Sequence, residues 1–172
     1  MQQVCQGQTQ QLGLLFERYH IRLYNFYRRT VNDEELCEDL VQTVFERILK
    51  YKHTYKPEAA FKSWFYSIAR NVKADHFKKQ KYLTDPLDPI QTERNLQLST
   101  EDRSLEHEEQ IQTLYEAINR LPEDKREILV LSQLEEMEYK ELSAVFGITE
   151  NAARVKVHRA LKSLKEIFHK KY

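Results

Sequence analysis

The chain has 172 residues, 41% hydrophobic and 11% aromatic, and its 27 Lys plus Arg cancel its 27 Asp plus Glu. This supplies cores for one ordinary domain or two small ones, while three Gly and four Pro leave few breakers for strands and hairpins. Leu, Glu, Lys, Gln and Arg, all good helix formers, dominate, so the expected class is all-α. No apolar run approaches the ~18 residues of a membrane span, and the polar start MQQVCQGQTQQ has no basic-then-apolar signal layout; both point to a cytoplasmic protein. Cys5 and Cys37 are widely separated and in no CxxC spacing, so neither a disulfide framework nor a zinc site is expected.

From Leu12 the apolar residues Leu15, Phe16, Tyr19, Leu23, Phe26 and Tyr27 follow the three-to-four spacing of a first helix. Asn32 followed by Glu35 has the form of a capping box opening a second helix, with Leu36, Leu40, Val41, Val44, Phe45, Ile48 and Leu49 on one face. Pro57 then breaks the pattern. A third helix places Phe61, Trp64, Phe65, Ile68 and Val72 together and ends in a basic stretch near Lys81. Two Asp-Pro pairs and no sustained period in YLTDPLDPIQTERNLQLS predict a flexible linker. The expected organisation is two small helical domains, 10–81 and 104–172, joined by a linker over 82–103.

The second domain should begin with an amphipathic helix through Ile111, Leu114, Tyr115, Ile118 and Leu121. Pro122 suits the first position of the next helix. The stretch EYKELSAVFGITENAARVKVHRAL then gives a short helix, a turn at Gly147, the apolar Ile148, a Thr149 cap and a helix rich in Arg and Lys. This is the pattern of a helix-turn-helix, with Leu142, Val145, Ile148, Val155 and Leu161 expected to hold the two helices crossed. The second helix of such a pair enters the major groove, where its first turns offer donors to base edges and its cationic flank meets phosphates. Arg154, Lys156 and Arg159 are the candidates, with Arg154 as base reader because its planar fork can grip guanine O6 and N7. A solvated basic face on a terminal helix is the bland alternative.

LPEDKREILVLSQLEEMEYKELSAVFGITENAARVKVHRALKSLK resembles region four of bacterial sigma factors, and WFYSIARNVKADHFKKQK is similar to the end of region two in their extracytoplasmic-function group. The order of the two is that of the family, with no third domain between them. Many relatives have Gly-Thr-Val where Asn151, Ala152 and Ala153 stand here, which alters the base contacts available at the start of the recognition helix. The resemblance implies a factor that brings core RNA polymerase to promoters and helps to open them. It implies contacts to the −35 element by Asn151, Arg154, Lys156, His158 and Arg159, and to the −10 element by Trp64, Arg70, Asn71, Lys78 and Lys79. It further implies binding to core polymerase through Asp39, Leu40, Gln42, Thr43 and Phe45, the β′ clamp helices and the β flap being the partners. No cofactor is implied, and an anti-sigma factor would be a separate chain.

The residues agree with that division of labour. The second helix is acid-rich, with no base from Asp33 to Glu46, and so suits a protein partner rather than phosphate. Leu40 and Phe45 have a ready alternative as core residues, which leaves Asp39 and Gln42 as the better contacts. The third helix mixes Lys62, Arg70, Lys73, Lys78, Lys79 and Lys81 with Trp64, Phe65, Tyr66 and Phe77, a combination suited to an opened strand whose bases stack while cations follow its backbone. Trp64 and Phe65 are equally core-spaced. The loop YKHTYKPEAA would help to form a pocket for an unstacked −10 base, as the family resemblance implies.

Charge is segregated along the chain. Between Asp85 and Glu116 nine acids face two bases, whereas the closing stretch ITENAARVKVHRALKSLKEIFHKKY has seven bases against Glu150 and Glu166. The acidic stretch could mask the two basic surfaces in the free chain. A conventional helix-turn-helix regulator is the rival reading, but the first half shows neither the alternating strands nor the strand-end Asp of a receiver. An enzyme would need convergent groups, yet there is no glycine-rich phosphate loop, HExxH, nucleophile elbow or metal-spaced set among six histidines.

Overall fold

The computed structural model describes residues 1–31, 33–83 and 113–169, with the side chains of 81–83 left out. All regular structure among them is helical. Helix α1 (Gln2–Cys5) and a 3-10 turn (Thr9–Gln11) lead into α2 (Leu12–Arg28), followed by α3 (Glu34–Tyr51), a 3-10 turn (Lys52–Thr54) and α4 (Phe61–Leu83). After the linker come α5 (113–119), α6 (Glu123–Gln133), α7 (Tyr139–Phe146) and α8 (Glu150–His169). The predicted linker, the first part of the helix containing Ile111, and the side chain of Lys81 lie outside the described residues.

Helix starts and stops follow local chemistry. Asn32, the expected cap of α3, lies outside the described residues; Asp33 caps it, its carboxylate accepting the Leu36 N–H at 3.1 Å. Pro122 stands one position earlier than expected, as the N-cap of α6 with extended ψ of 145°, and its carbonyl accepts the Arg126 N–H at 2.9 Å. Glu138 and Glu141 form a capping box on α7, which ends at Gly147 in the left-handed region (φ 63°). A β-carbon would be strained at that φ, and the turn lets the Ile148 N–H reach back to the Ser143 carbonyl at 3.1 Å.

In the first half, Leu23, Phe26 and Tyr27 of α2 meet Cys37, Leu40, Val44, Phe45 and Ile48 of α3 and Phe65, Ala69 and Val72 of α4. Tyr27 is fully buried and donates its hydroxyl to the Ala69 carbonyl at 2.8 Å, tying α2 to α4; burial pushes its pKa up. Burial likewise pushes the Cys37 thiol up to about 12, so Cys37 is a packed, unreactive group. In the second half, α8 lies across α6 and α7 through Ala153, Val157 and Ala160, and the Arg126 guanidinium closes the end of α5 by donating to the Asn119 and Leu121 carbonyls, both at 2.7 Å.

The two halves pack together, which the linker alone does not dictate. Helix α4 contacts α3 on one side and α7 on another, and one continuous set of buried residues runs through both halves. Helix α4 therefore has two covered faces rather than a single apolar stripe, with Tyr66 and Lys73 buried beside Phe65 and Val72.

Candidate nucleic-acid and polymerase interfaces

The −35 candidates all lie on α8. Ala153, Val157, Ala160, Leu164 and Ile167 recur every three to four positions and turn inward, so the opposite face is left to Asn151, Arg154, His158, Arg159, Lys162 and Lys165. Thr149 caps the helix, its hydroxyl accepting the Ala152 N–H at 3.2 Å. Val155 and Leu161, expected in the small core, are each 40% exposed. The buried stripe is set by Ala153, and two residues onward lies about 200° around the helix, so Val155 falls on the outer face while small alanines allow α6 and α7 to approach closely.

Arg154 is 62% exposed, its guanidinium 5.2 Å from the centre of the Tyr139 ring and 3.8 Å from Glu150. Lys156 points elsewhere, towards α6, with Nζ 4.0 Å from Asp124. The two cations thus leave the helix on different sides, as their spacing predicts.

The −10 candidates divide. Asn71, Lys78 and Lys79 are exposed on α4, with Phe77 40% exposed among them. Trp64 is half-buried, its Nε1 donating to the Thr54 hydroxyl at 3.0 Å and its ring meeting Tyr55 edge-on at 5.3 Å, so it braces the loop before α4. Phe65 is fully buried. Arg70 is turned to the other half: Nε donates to Glu127 at 2.9 Å, a terminal nitrogen donates to the Val145 carbonyl at 3.0 Å, and the guanidinium lies 4.1 Å from the centre of the Phe146 ring.

Of the polymerase candidates, Asp39 and Gln42 are exposed on α3 and Thr43 is half-buried. Leu40 and Phe45 are core, the Phe45 ring packing against Phe16 at 4.9 Å and Phe65 at 6.1 Å. These two point inward because they share the stripe of Val41, Val44 and Ile48. Next to Gln42, an open cavity of about 530 Å³ lies between α2 and α3, lined by Phe16, Ile21, Tyr24, Glu38 and Val41 among others. Phe16, expected in the core, is 43% exposed and Ile21 60%, which makes this a largely apolar depression with Glu38 and His20 among its lining.

Spacing did not find the contacts that α4 makes with the second half. Lys62 Nζ donates to the Glu135 carbonyl at 2.8 Å, Lys73 pairs with Glu123 at 2.7 Å and with Glu127, and Tyr66 faces the Glu135 carboxylate. Burial pushes the Glu135 carboxyl above its ordinary range, opposed by the Tyr66 hydroxyl and the charges of Arg22, Lys62 and Arg29. One signal was legible: Ile128, Leu129, Val130 and Leu131 are consecutive apolar residues, and a helix apolar all round needs neighbours on every side, as the burial of every residue from Arg126 to Leu131 bears out.

The pattern of sigma-70 region 2 matches residues 15–82 and that of sigma-70 region 4 matches residues 111–164. The extracytoplasmic-function (ECF) sigma factor SigX of Bacillus subtilis is 30% identical over 158 residues, covering 89% of this chain and 81% of that protein. This chain belongs to the ECF sigma factors. The sigma factor CarQ of Myxococcus xanthus is also 30% identical, over 89% of this chain and 86% of its own. The sigma factor RpoE of Bartonella quintana, solved with the anti-sigma factor NepR, has the same fold, with a TM-score of 0.77 at 21% identity over 91% of this chain and 96% of that one. CnrH, solved with the cytosolic domain of CnrY, gives 0.71 at 20% identity over 99% and 95%. As an ECF sigma factor the protein binds core RNA polymerase and promoter DNA and directs transcription initiation to specific promoters. Among the described residues no helix is long and apolar enough to cross a membrane.

Proposed function

We propose that residues 10–81 hold core polymerase and the −10 element, that 82–103 tether the halves, and that 104–172 read the −35 element. The observation that carries this reading is the outward row on α8, where Asn151, Arg154, His158 and Arg159 stand clear of the core behind a capped, glycine-ended turn. Arg154 is the base reader, Lys156 and Arg159 meet the flanking phosphates, and this half also contacts the β flap. On α4, Asn71 reads the opened strand while Lys78 and Lys79 follow its backbone, Phe77 offering a ring for stacking. Trp64 positions the loop before α4.

Gln42 lines the depression with Phe16, Ile21 and Tyr24, Asp39 and Thr43 stand beside it on the same helix, and a helical partner such as the β′ clamp helices fits such a groove, apolar in its floor with Glu38 at its edge. Leu40 and Phe45 shape that surface from beneath. The protein acts in the cytoplasm by binding, with the polymerase supplying the chemistry, and a separate anti-sigma protein controls it.

Run-off transcription with core polymerase on a promoter library tests the reading. Asp39→Arg places a cation on the acidic docking face and lowers transcription from every promoter alike. Unchanged polymerase affinity of that variant would remove α3 from the interface.

A further inference from the structure

Helix α1 is held firmly for an element of four residues. Val4 is fully buried, although it stands outside the core that joins the other helices. Gly7, with a φ of 97° that favours glycine, turns the chain after α1, and α1 packs on the 3-10 turn Lys52–Thr54. The Cys5 thiol donates to the Lys52 carbonyl at 3.1 Å, and that carbonyl also accepts the Tyr55 N–H at 3.2 Å. The sigma-70 region 2 pattern starts at residue 15, so α1 lies outside what that match assigns.

The turn opens the loop before α4. His53, Thr54 and residues 56–60 are exposed, and no helix or strand spans 55–60, so the loop depends on what grips its ends. On the α4 side, Trp64 Nε1 donates to the Thr54 hydroxyl at 3.0 Å, that hydroxyl donates to the Tyr51 carbonyl at 2.7 Å, and Tyr55 rests edge-on against Phe61 at 6.1 Å. On the other side stands α1.

We propose that Val4 and Cys5 are positioning residues for the −10 element: α1 fixes the near end of the loop 52–60 in the shape that receives the unstacked base. The inference rests on the −10 reading of the first half, in which that loop helps to form the base pocket. A loop ordered only on meeting its base would lose binding free energy with every torsion it froze, and one free to repack would accommodate a wrong base that a fixed one excludes. The two residues act together. Burial of Val4 brings α1 against the turn, and the thiol, a weak donor, occupies the second lone pair of the Lys52 carbonyl.

The test uses the full chain carrying Val4→Ala, Cys5→Ala or Cys5→Ser. Hydrogen exchange at the backbone amides of 52–60 reads whether the loop is held, and selection of randomised −10 elements by each mutant holoenzyme, with the −35 element kept constant, reads specificity. Loss of two buried carbon atoms in Val4→Ala predicts about tenfold faster exchange confined to the loop, with discrimination at one −10 position weakened by at most the same factor. Cys5→Ala gives the same two changes at smaller size, and Cys5→Ser, which keeps a donor, restores the wild-type preference. A domain that was merely destabilised would lose activity on all promoters alike and leave the preference intact, which overturns the proposal. Unchanged loop exchange in Val4→Ala overturns it too. Faster exchange with unchanged −10 preference removes α1 from specificity, and Trp64→Phe, which frees the Thr54 hydroxyl from the other side, then separates the two failures. Changed preference in Trp64→Phe keeps the loop as base reader, whereas unchanged preference takes the loop itself out of −10 recognition. Far-UV circular dichroism establishes folding, and Cys5→Ala, which leaves the buried valine in place, decides the matter if Val4→Ala does not fold.

Discussion

The two basic helices of this protein, α4 and α8, differ in what their cations are doing. On α8, Arg154 is 62% exposed with Glu150 and the Tyr139 ring near its head, whereas on α4 Lys73 is 4% exposed and engaged by two carboxylates. Both read as solvated DNA-facing helices from composition. The difference lies in their second faces. Among the described residues α8 is covered on one side, by α6 and α7, while α4 lies between α3 and α7 and so presents cations to a protein neighbour as well as to solvent. A basic helix covered on two faces can thus be spoken for before any DNA arrives, and one covered on a single face is ready at once.

The largest effect expected is on what holds α7, the helix that packs against both α4 and α8. Leu142 of α7 is fully buried, so Leu142→Ala costs about 2 to 5 kcal/mol of stability. Urea unfolding reads that cost; a loss below about 1 kcal/mol would mean that α7 is not the shared support.

Arg154→Ala then removes the proposed reader, with an expected cost of about 1 to 3 kcal/mol on the −35 element and relaxed preference at one base pair. Lys156→Ala costs less and keeps the preferred sequence, since that side chain already leans towards Asp124. Selection of randomised −35 elements with each mutant holoenzyme separates them, and relaxed preference with the lysine variant would reverse the roles.

On α4 the exposed end behaves like α8. Changing Lys78 and Lys79 together to Ala weakens all promoters alike and lowers the salt slope by about 1.4, from two contacts to a single strand. Altered sequence preference in that double variant would make one of the lysines a reader.

The smallest effect concerns pH. Glu135 is raised by burial against α4, so the closed form binds its proton more tightly than an opened form with an ordinary value near 4.5. A raised carboxyl favours closure at low pH, and that contribution is lost as pH rises through its closed-form value. Scattering of the free chain should show tighter closure on acidification from neutral pH, and Glu135→Gln should flatten that trend. An equally steep trend in the Gln variant would assign it to other groups.

Much of the local structure was legible. Thr149 caps α8 and Gly147 turns the chain because a hydroxyl at the first turn and a residue free of a β-carbon are requirements of the backbone itself. The acid-rich run on α3 and the inward positions of Leu40 and Phe45 follow from a 3.6-residue period. Val155 and Leu161 went astray because apolar character alone does not fix the phase of a helix whose true contact stripe is built from alanines. Phe16 and Ile21 stayed exposed because they line the open depression between α2 and α3 and not the closed seam through Leu23, Phe26 and Tyr27.

By itself the sequence determined that the chain is helical, where most helices start and stop, and that its two halves match sigma region 2 and region 4, since each depends on neighbours within a few turns. Only the tertiary structure decided that the halves close on one another and that Arg70 and Lys73 spend their charge on Glu127. Pairing across 57 residues leaves no periodic trace: a lysine bound to a distant carboxylate and a lysine in water are written with the same letter, and only packing on every side of α6 tells them apart.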